Sequence, residues 1–312
     1  MITVQRPPGL RFALLASLAI LAAHASNAQA PTYATIYSFK GPEGGAPHAS
    51  VIIGPQGGLF GTASGGGVSN YGTVFELSNP TGNAWIEKTL YSFSAEPDGQ
   101  YPQANVVFGP GGALYGTTQG GGMGGGTIFE LAAPAAAGAA WTESVLYEFN
   151  SGVAVQVDAP FGAVLFTEDG TLLSTARGAS GNVAGGVVAL APPAAPGGPW
   201  KESTLLIFGT PVQAGKFPEA GLVTESGSFY GTNYYSGNFA CASGCGSVYE
   251  LTPPAILGDG WTITGVYDFL GVPNDGEYPQ APLTVGASSM APPRMAAPEP
   301  AVLYRVAAPS FN

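Results

Sequence analysis

Leu114-Tyr115-Gly116-Thr117-Thr118, a glycine run at Gly120-Gly121-Gly122, and then Gly126-Thr127-Ile128-Phe129-Glu130-Leu131 form the stretch from which the fold is read. Each end is a short run of aromatic and β-branched residues bounded by glycine, the composition of a strand. Alternation puts Phe129 and Leu131 on one face and Glu130 on the other. Upstream, Ala104 to Phe108 is a third such run, joined to the next by the tight turn Gly109-Pro110-Gly111-Gly112. Downstream, Trp141 to Phe149 is a fourth. The stretch therefore reads as four antiparallel strands.

The unit repeats along the chain. Phe39, Phe93, Phe149, Phe208 and Phe269 each end a strand-like run, at spacings of 54, 56, 59 and 61 residues, and Trp85, Trp141, Trp200 and Trp261 keep step at 56, 59 and 61. Tight turns recur at Gly54 to Gly58, Thr167 to Gly170 and Thr224 to Gly227, and Gly-rich loops at Ser64 to Asn70, Ala176 to Gly186 and Asn233 to Gly246. A four-stranded unit of this length is the sequence form of a β-propeller blade; a β-solenoid and a sandwich are the competing architectures. The expectation is an all-β, propeller-like domain over residues 31–312. Its units span 40–93, 94–149, 150–208 and 209–269, with a degenerate fifth over 270–312 completed by residues 33–39. Tyr304-Arg305-Val306-Ala307-Ala308-Pro309 parallels Phe129 to Pro134, and Thr35 to Phe39 supplies the outer strand.

These motifs resemble the Gloeobacter/Verrucomicrobia (GloVer) tandem repeat of exported bacterial proteins. Leu59-Phe60-Gly61-Thr62 with Gly72-Thr73-Val74-Phe75-Glu76-Leu77 carries the resemblance, as does Phe229-Tyr230-Gly231-Thr232 with Gly246-Ser247-Val248-Tyr249-Glu250-Leu251. Unit three departs, with Leu173-Ser174-Thr175 and Val188-Ala189-Leu190. The resemblance runs from about Tyr33 to Phe269 and implies a propeller-like, exported protein; it implies no activity. The recurrent Glu is expected to be structural, accepting a hydrogen bond from an adjacent blade, and Gly61, Gly116 and Gly231 to sit where backbones crowd.

Composition narrows the function. Of 312 residues 48 are Gly and 28 Pro, only 9% are charged, and 45% are hydrophobic: too much Gly for long helices, and apolar enough for a sizeable core. The formal charge of −11 leaves no basic face to neutralise phosphates, so nucleic acid is not an expected partner. Residues 1–30 read as a secretory signal: Arg6 and Arg11, an apolar run from Phe12 to Ala23, and Ala28-Gln29-Ala30 before the cut. Loss of the two arginines and no acid takes the charge from −11 to −13. The apolar run is too short to span a bilayer, and no membrane span is expected in the mature chain. Outside the cytoplasm Cys241 and Cys245 are expected to form a local disulfide; free thiols, or a redox or metal role, are the alternatives.

Catalytic signals are few. The mature chain keeps one histidine, His48, in Ala46-Pro47-His48-Ala49, and the matching positions in Tyr101-Pro102-Gln103-Ala104 and Tyr278-Pro279-Gln280-Ala281 are Gln. A base would not be replaced this way, so His48 reads as a surface or packing residue. The glycine runs lie between strands and open no helix, so they cradle no phosphate. Asp98-Gly99 and Asp275-Gly276 read as turns, because calcium loops need denser acidic ligands. No catalytic residue, metal site or cofactor is expected. The loop from Asn233 to Cys241 differs from its sisters by its aromatics: Tyr234, Tyr235, Asn238 and Phe239 are the candidate ligand contacts, suited to carbohydrate or peptide; packing of the loop onto its own blade is the alternative. The expected function is a secreted, non-enzymatic binding or structural module with an extracellular polysaccharide or protein as partner. An extracellular glycan hydrolase or lyase on a propeller scaffold is the rival.

Overall fold

Short runs rich in aromatic and β-branched residues, separated by glycine-rich turns, yield strands and no α-helix among the described residues. The computed structural model describes residues 34–82, 84–136, 138–152, 157–178, 184–195, 197–209, 215–235, 244–255, 260–271 and 276–285. Contacts divide the chain into Met1–Ile36, of which only 34–36 are described, and Tyr37–Asn312. Every strand lies in the second unit. The signal segment and residues 304–309 lie outside the described residues.

Four four-stranded antiparallel sheets follow one another, none closed into a barrel. The first contains β1 (Ile52–Ile53), β2 (Leu59–Ala63), β3 (Thr73–Ser78) and β4 (Ile86–Ser92), hydrogen-bonded in that order. A two-stranded ribbon, β5 (Gly99–Gln100) with β8 (Gly120–Gly121), precedes and interrupts the second. That sheet holds β6 (Val107–Phe108), β7 (Leu114–Thr118), β9 (Gly124–Ala132) and β10 (Thr142–Asn150). The third is β11 (Leu165–Phe166), β12 (Leu172–Ala176), β13 (Gly186–Ala191) and β14 (Lys201–Ile207). The fourth is β15 (Val223–Glu225), β16 (Ser228–Asn233), β17 (Ser247–Thr252) and β18 (Thr262–Asp268). Four units of four strands are thus as the sequence predicts.

Two details differ. The first strand of unit two is two residues, Val107–Phe108, and not the expected run from Ala104; the Ala104 carbonyl instead accepts the Thr62 hydroxyl of the preceding sheet at 2.8 Å. Residues 35–39 form no strand; their expected pairing partner, 304–309, lies outside the described residues.

Core packing is between successive sheets. Phe93, at the end of the first sheet, meets Phe129 of the second edge-on at 5.2 Å; Phe208 meets Tyr249 at 5.2 Å, and Phe39 meets Phe75 at 4.8 Å. Phe149 packs with Val188. Each such phenylalanine, when fully buried, contributes about 2–3 kcal/mol of transfer free energy. The Gly-aromatic pair explains the recurrent glycine. Gly61, Gly116 and Gly231 lie directly across the ladder from Phe75, Phe129 and Tyr249. A Cβ on Gly116 would stand 2.6 Å from Phe129 Cζ, and one on Gly61 would stand 2.7 Å from Phe75 Cζ. In the third sheet the aromatic is replaced by Val188, and its partner is Ser174, no longer glycine.

The threonine after that glycine points to the opposite face and binds the next module. Thr62 Oγ1 donates to Ala104 O at 2.8 Å, Thr117 Oγ1 to Gly162 O at 3.2 Å and Thr175 Oγ1 to Ala220 O at 2.8 Å. The expected role of the recurrent Glu is corrected. Tyr230 Oη donates to Glu250 Oε1 at 3.2 Å, from the directly opposed residue of the same sheet. Glu130 likewise faces Tyr115, whose hydroxyl is pushed up to about 12 by burial and by that carboxylate. In units two and four the acid thus meets a tyrosine across its own ladder, whereas Glu76 of unit one faces Phe60.

Candidate functional site

Five Xaa-Pro pairs, one in each sequence unit, fold into the same turn. Ala46, Tyr101, Ala159, Phe217 and Tyr278 all have positive φ, between 51° and 60°, and each precedes a proline. A residue before proline normally avoids such a conformation; here packing holds it. A glycine at the start of the third strand's ladder — just before β3 and β13, and inside β9 — fits beneath the next proline. A Cβ on Gly72 would stand 2.6 Å from Pro102 Cδ, one on Gly126 2.8 Å from Pro160 Cδ, and one on Gly185 2.6 Å from Pro218 Cδ.

The residues after these prolines converge. His48, Gln103, Phe161, Glu219 and Gln280 line one cavity of about 700 Å³, together with Ala49, Ala104, Gly162, Ala220 and Ala281. His48 is therefore a cavity residue, exposed, at a position its sisters fill with other side chains. The sequence reading matched three of the five turns. It missed Ala159-Pro160-Phe161-Gly162 and Phe217-Pro218-Glu219-Ala220, for which a Pro followed two residues later by Ala or Gly was the signal.

Glu219 organises one end of the cavity. It is 6% exposed, receives Arg177 Nε on Oε1 at 2.9 Å and receives Gln280 Nε2 on Oε2 at 3.0 Å. The guanidinium of Arg177 lies over the rings of Phe161 and Phe217, at 5.9 and 5.6 Å. Beside it, Tyr234 stacks on Tyr278 at 4.9 Å, and Tyr235 meets both edge-on. Burial, then Tyr235 and Glu219, raises the Tyr234 hydroxyl above its ordinary pKa. Of the predicted contacts, Tyr234 and Tyr235 are thus brought together against Tyr278, a cavity residue, and are half-buried. Part of their surface packs between sequence units, as the packing alternative expected. Asn238, Phe239 and Cys241 lie outside the described residues; Cys245 is fully buried. Asp98 is a turn residue as read: its carboxylate accepts Tyr91 Oη at 3.0 Å, Ser94 N at 2.8 Å and Gly99 N at 2.6 Å.

Successive sheets joined by edge-on aromatic contacts and threonine hydroxyls define an all-β modular repeat protein. The family model for the Gloeobacter/Verrucomicrobia repeat matches residues 25–188, more than half of the chain, and the chain belongs to that family. No curated protein matches it. A solved structure from Thermus thermophilus, whose name assigns it provisionally to the oxidoreductases as a glucose dehydrogenase, is 14% identical. The alignment covers 78% of this chain and 88% of that one, with a TM-score of 0.33; at that level it carries no argument. Among the described residues no helix is long and apolar enough to cross a membrane.

Proposed function

We propose that the protein is an exported, non-enzymatic binding module of the bacterial exterior, a five-unit propeller whose cavity and adjoining tyrosines hold an extracellular polysaccharide or protein. One observation carries the reading. The five turns repeat their proline and their small residue, yet the side chain between them differs, as His48, Gln103, Phe161, Glu219 and Gln280, with only Gln occurring twice. Loop residues on a rigid scaffold vary more than the strands they connect and disproportionately carry binding, and these five varied side chains meet at one cavity. The volume falls in the range of ligand sites, about 300–1,000 Å³. Closure by a degenerate fifth unit is favoured by the fourth sheet, whose β18 leaves Val266 38% and Tyr267 46% exposed, whereas Leu90 of β4 and Leu146 of β10 pack against the following sheet. Export carries with it the Cys241–Cys245 disulfide, a staple of modest effect because the loop it closes is short.

The test is an array of bacterial and plant polysaccharides and envelope proteins probed with the mature chain. Saturable binding without turnover is expected. Turnover of an arrayed glycan, abolished by removing one carboxylate, would make it an enzyme; absence of all binding would leave a purely structural protein.

A further inference from the structure

We infer that the cavity takes a neutral sugar unit, and that Glu219, oriented by Arg177 and Gln280, is its specificity-determining acceptor. The inference rests on the binding reading above and names the ligand class. Among the described residues, the cavity lining contains neither lysine nor arginine. It offers the amides of Gln103, Asn105 and Gln280, which both donate and accept. This is the inventory a polyhydroxylated, uncharged ligand needs. An anionic sugar would find no free cation in the lining: Arg177 is spent on Glu219 and held against two phenylalanine rings. It would also meet exposed Glu277 and a chain whose formal charge is −11. Glu219 offers a cationic ligand no unpaired charge, because Arg177 already holds it; only exposed Glu277 could attract one, at the solvent-facing edge of the lining.

Glu219 keeps acceptor capacity. Each carboxylate oxygen has two lone-pair directions, and each receives one protein hydrogen bond. A sugar hydroxyl can fill a remaining direction without breaking either contact. The fixed charge makes that bond stronger than a neutral one. Phe161 and Tyr278 supply apolar surface for the C–H face of a pyranose ring.

Calorimetric titration of the mature chain with neutral oligosaccharides (cello-, laminari- and maltotriose) and with an acidic one (trigalacturonate) tests this. A neutral trisaccharide is expected to bind, with an affinity unchanged between about 20 and about 500 mM salt because no charge is recognised. Gln103→Ala, at a half-buried site, should weaken binding about fivefold while leaving the melting temperature in place. Gln280→Ala, which also removes a hydrogen bond from buried Glu219, should weaken binding at least as much and lower the melting temperature. Glu219→Gln, which keeps the shape, should weaken it more. Trigalacturonate binding more tightly than every neutral sugar would overturn the inference and leave the binding reading standing. So would neutral binding indifferent to Gln103→Ala and Gln280→Ala. No binding of any sugar, together with none on the polysaccharide and protein array, would sink both.

Discussion

Gly116 and Phe129 are one decision written at two positions. The ring needs the space that a Cβ would take, and the third sheet releases both constraints together as Ser174 and Val188. Gly116→Ser alone should therefore cost about 2 kcal/mol through overpacking, and Phe129→Val alone about 2 kcal/mol through the cavity it leaves. The double variant should lose at least about 1 kcal/mol less than the sum, a coupling that urea titration of the four proteins measures; strict additivity would contradict the pairing. Tyr249 tests the same site from the other side. It replaces the phenylalanine of sheets one and two, and its hydroxyl is fully buried without a hydrogen-bond partner among the described residues. Burial alone drives its pKa upward. Tyr249→Phe should stabilise the protein by about 1 kcal/mol, read from the same titration; a loss of stability would reveal a partner. The glycine was legible in the sequence because its crowding follows from strand alternation. The glutamate was misassigned, since alternation says which face a side chain takes and not which tyrosine stands opposite. The threonine was the missed signal. Thr62, Thr117, Thr175 and Thr232 persist even where unit three has lost glycine, aromatic and acid, and three of them donate across a module boundary.

At the scale of the element, each sheet carries a bulge where its third and fourth strands meet. The register slips between Val74 and Phe75, between Val145 and Tyr147, between Val187 and Val188, and between Val248 and Tyr249. An extra residue on the outer strand increases local twist, and in the first three sheets that residue is Leu90, Leu146 or Leu205, packed against the neighbouring sheet. Strand existence was legible from residue type. The bulges were not, because they show only as a slip between two runs. Nor were the short first strands, whose residues serve the cavity turns instead. The outer strand of the second sheet also carries a pH-dependent group. Desolvation, with a smaller effect from Asp98, pushes the Glu143 carboxyl up to about 7, close to Tyr91, which bonds to the same Asp98. The folded state then holds a proton that the unfolded state releases at the ordinary carboxylate value, so the stability linked to it is present below that value and lost as pH rises towards 7. Glu143→Gln should be more stable than the parent at pH 8, by about 1 kcal/mol once water access is discounted, and no more stable at pH 4. Thermal melts at both pH values check this; equal gains at both would assign the effect to packing.

For the whole molecule, the claim that matters is that five units, not four, surround one cavity. Five matching Xaa-Pro turns line it, yet only four of the units form a four-stranded sheet among the described residues. Thr232, the fourth hydroxyl of the inter-module series, is buried without a hydrogen-bond partner there, as expected of the junction where the repeat degenerates. Repetition of a four-stranded antiparallel unit was legible from the spacing of Phe and Trp. Convergence of the turns was not: the Pro-Xaa-Ala/Gly pattern groups them along the chain, but nothing in it says that they meet around one cavity. Closure requires residues 37–39 to run beside residues 304–309. The protein offers a direct test if the native cysteines are bonded: unsubstituted, exported chain should take up no thiol label by mass spectrometry. Spin labels at Ser38→Cys and Val306→Cys then report the distance between the two segments by double electron–electron resonance. Adjacent strands lie about 5 Å apart, so with the label arms the account predicts a narrow distribution centred below about 25 Å. A broad distribution centred beyond about 35 Å, several strand spacings away, would contradict closure.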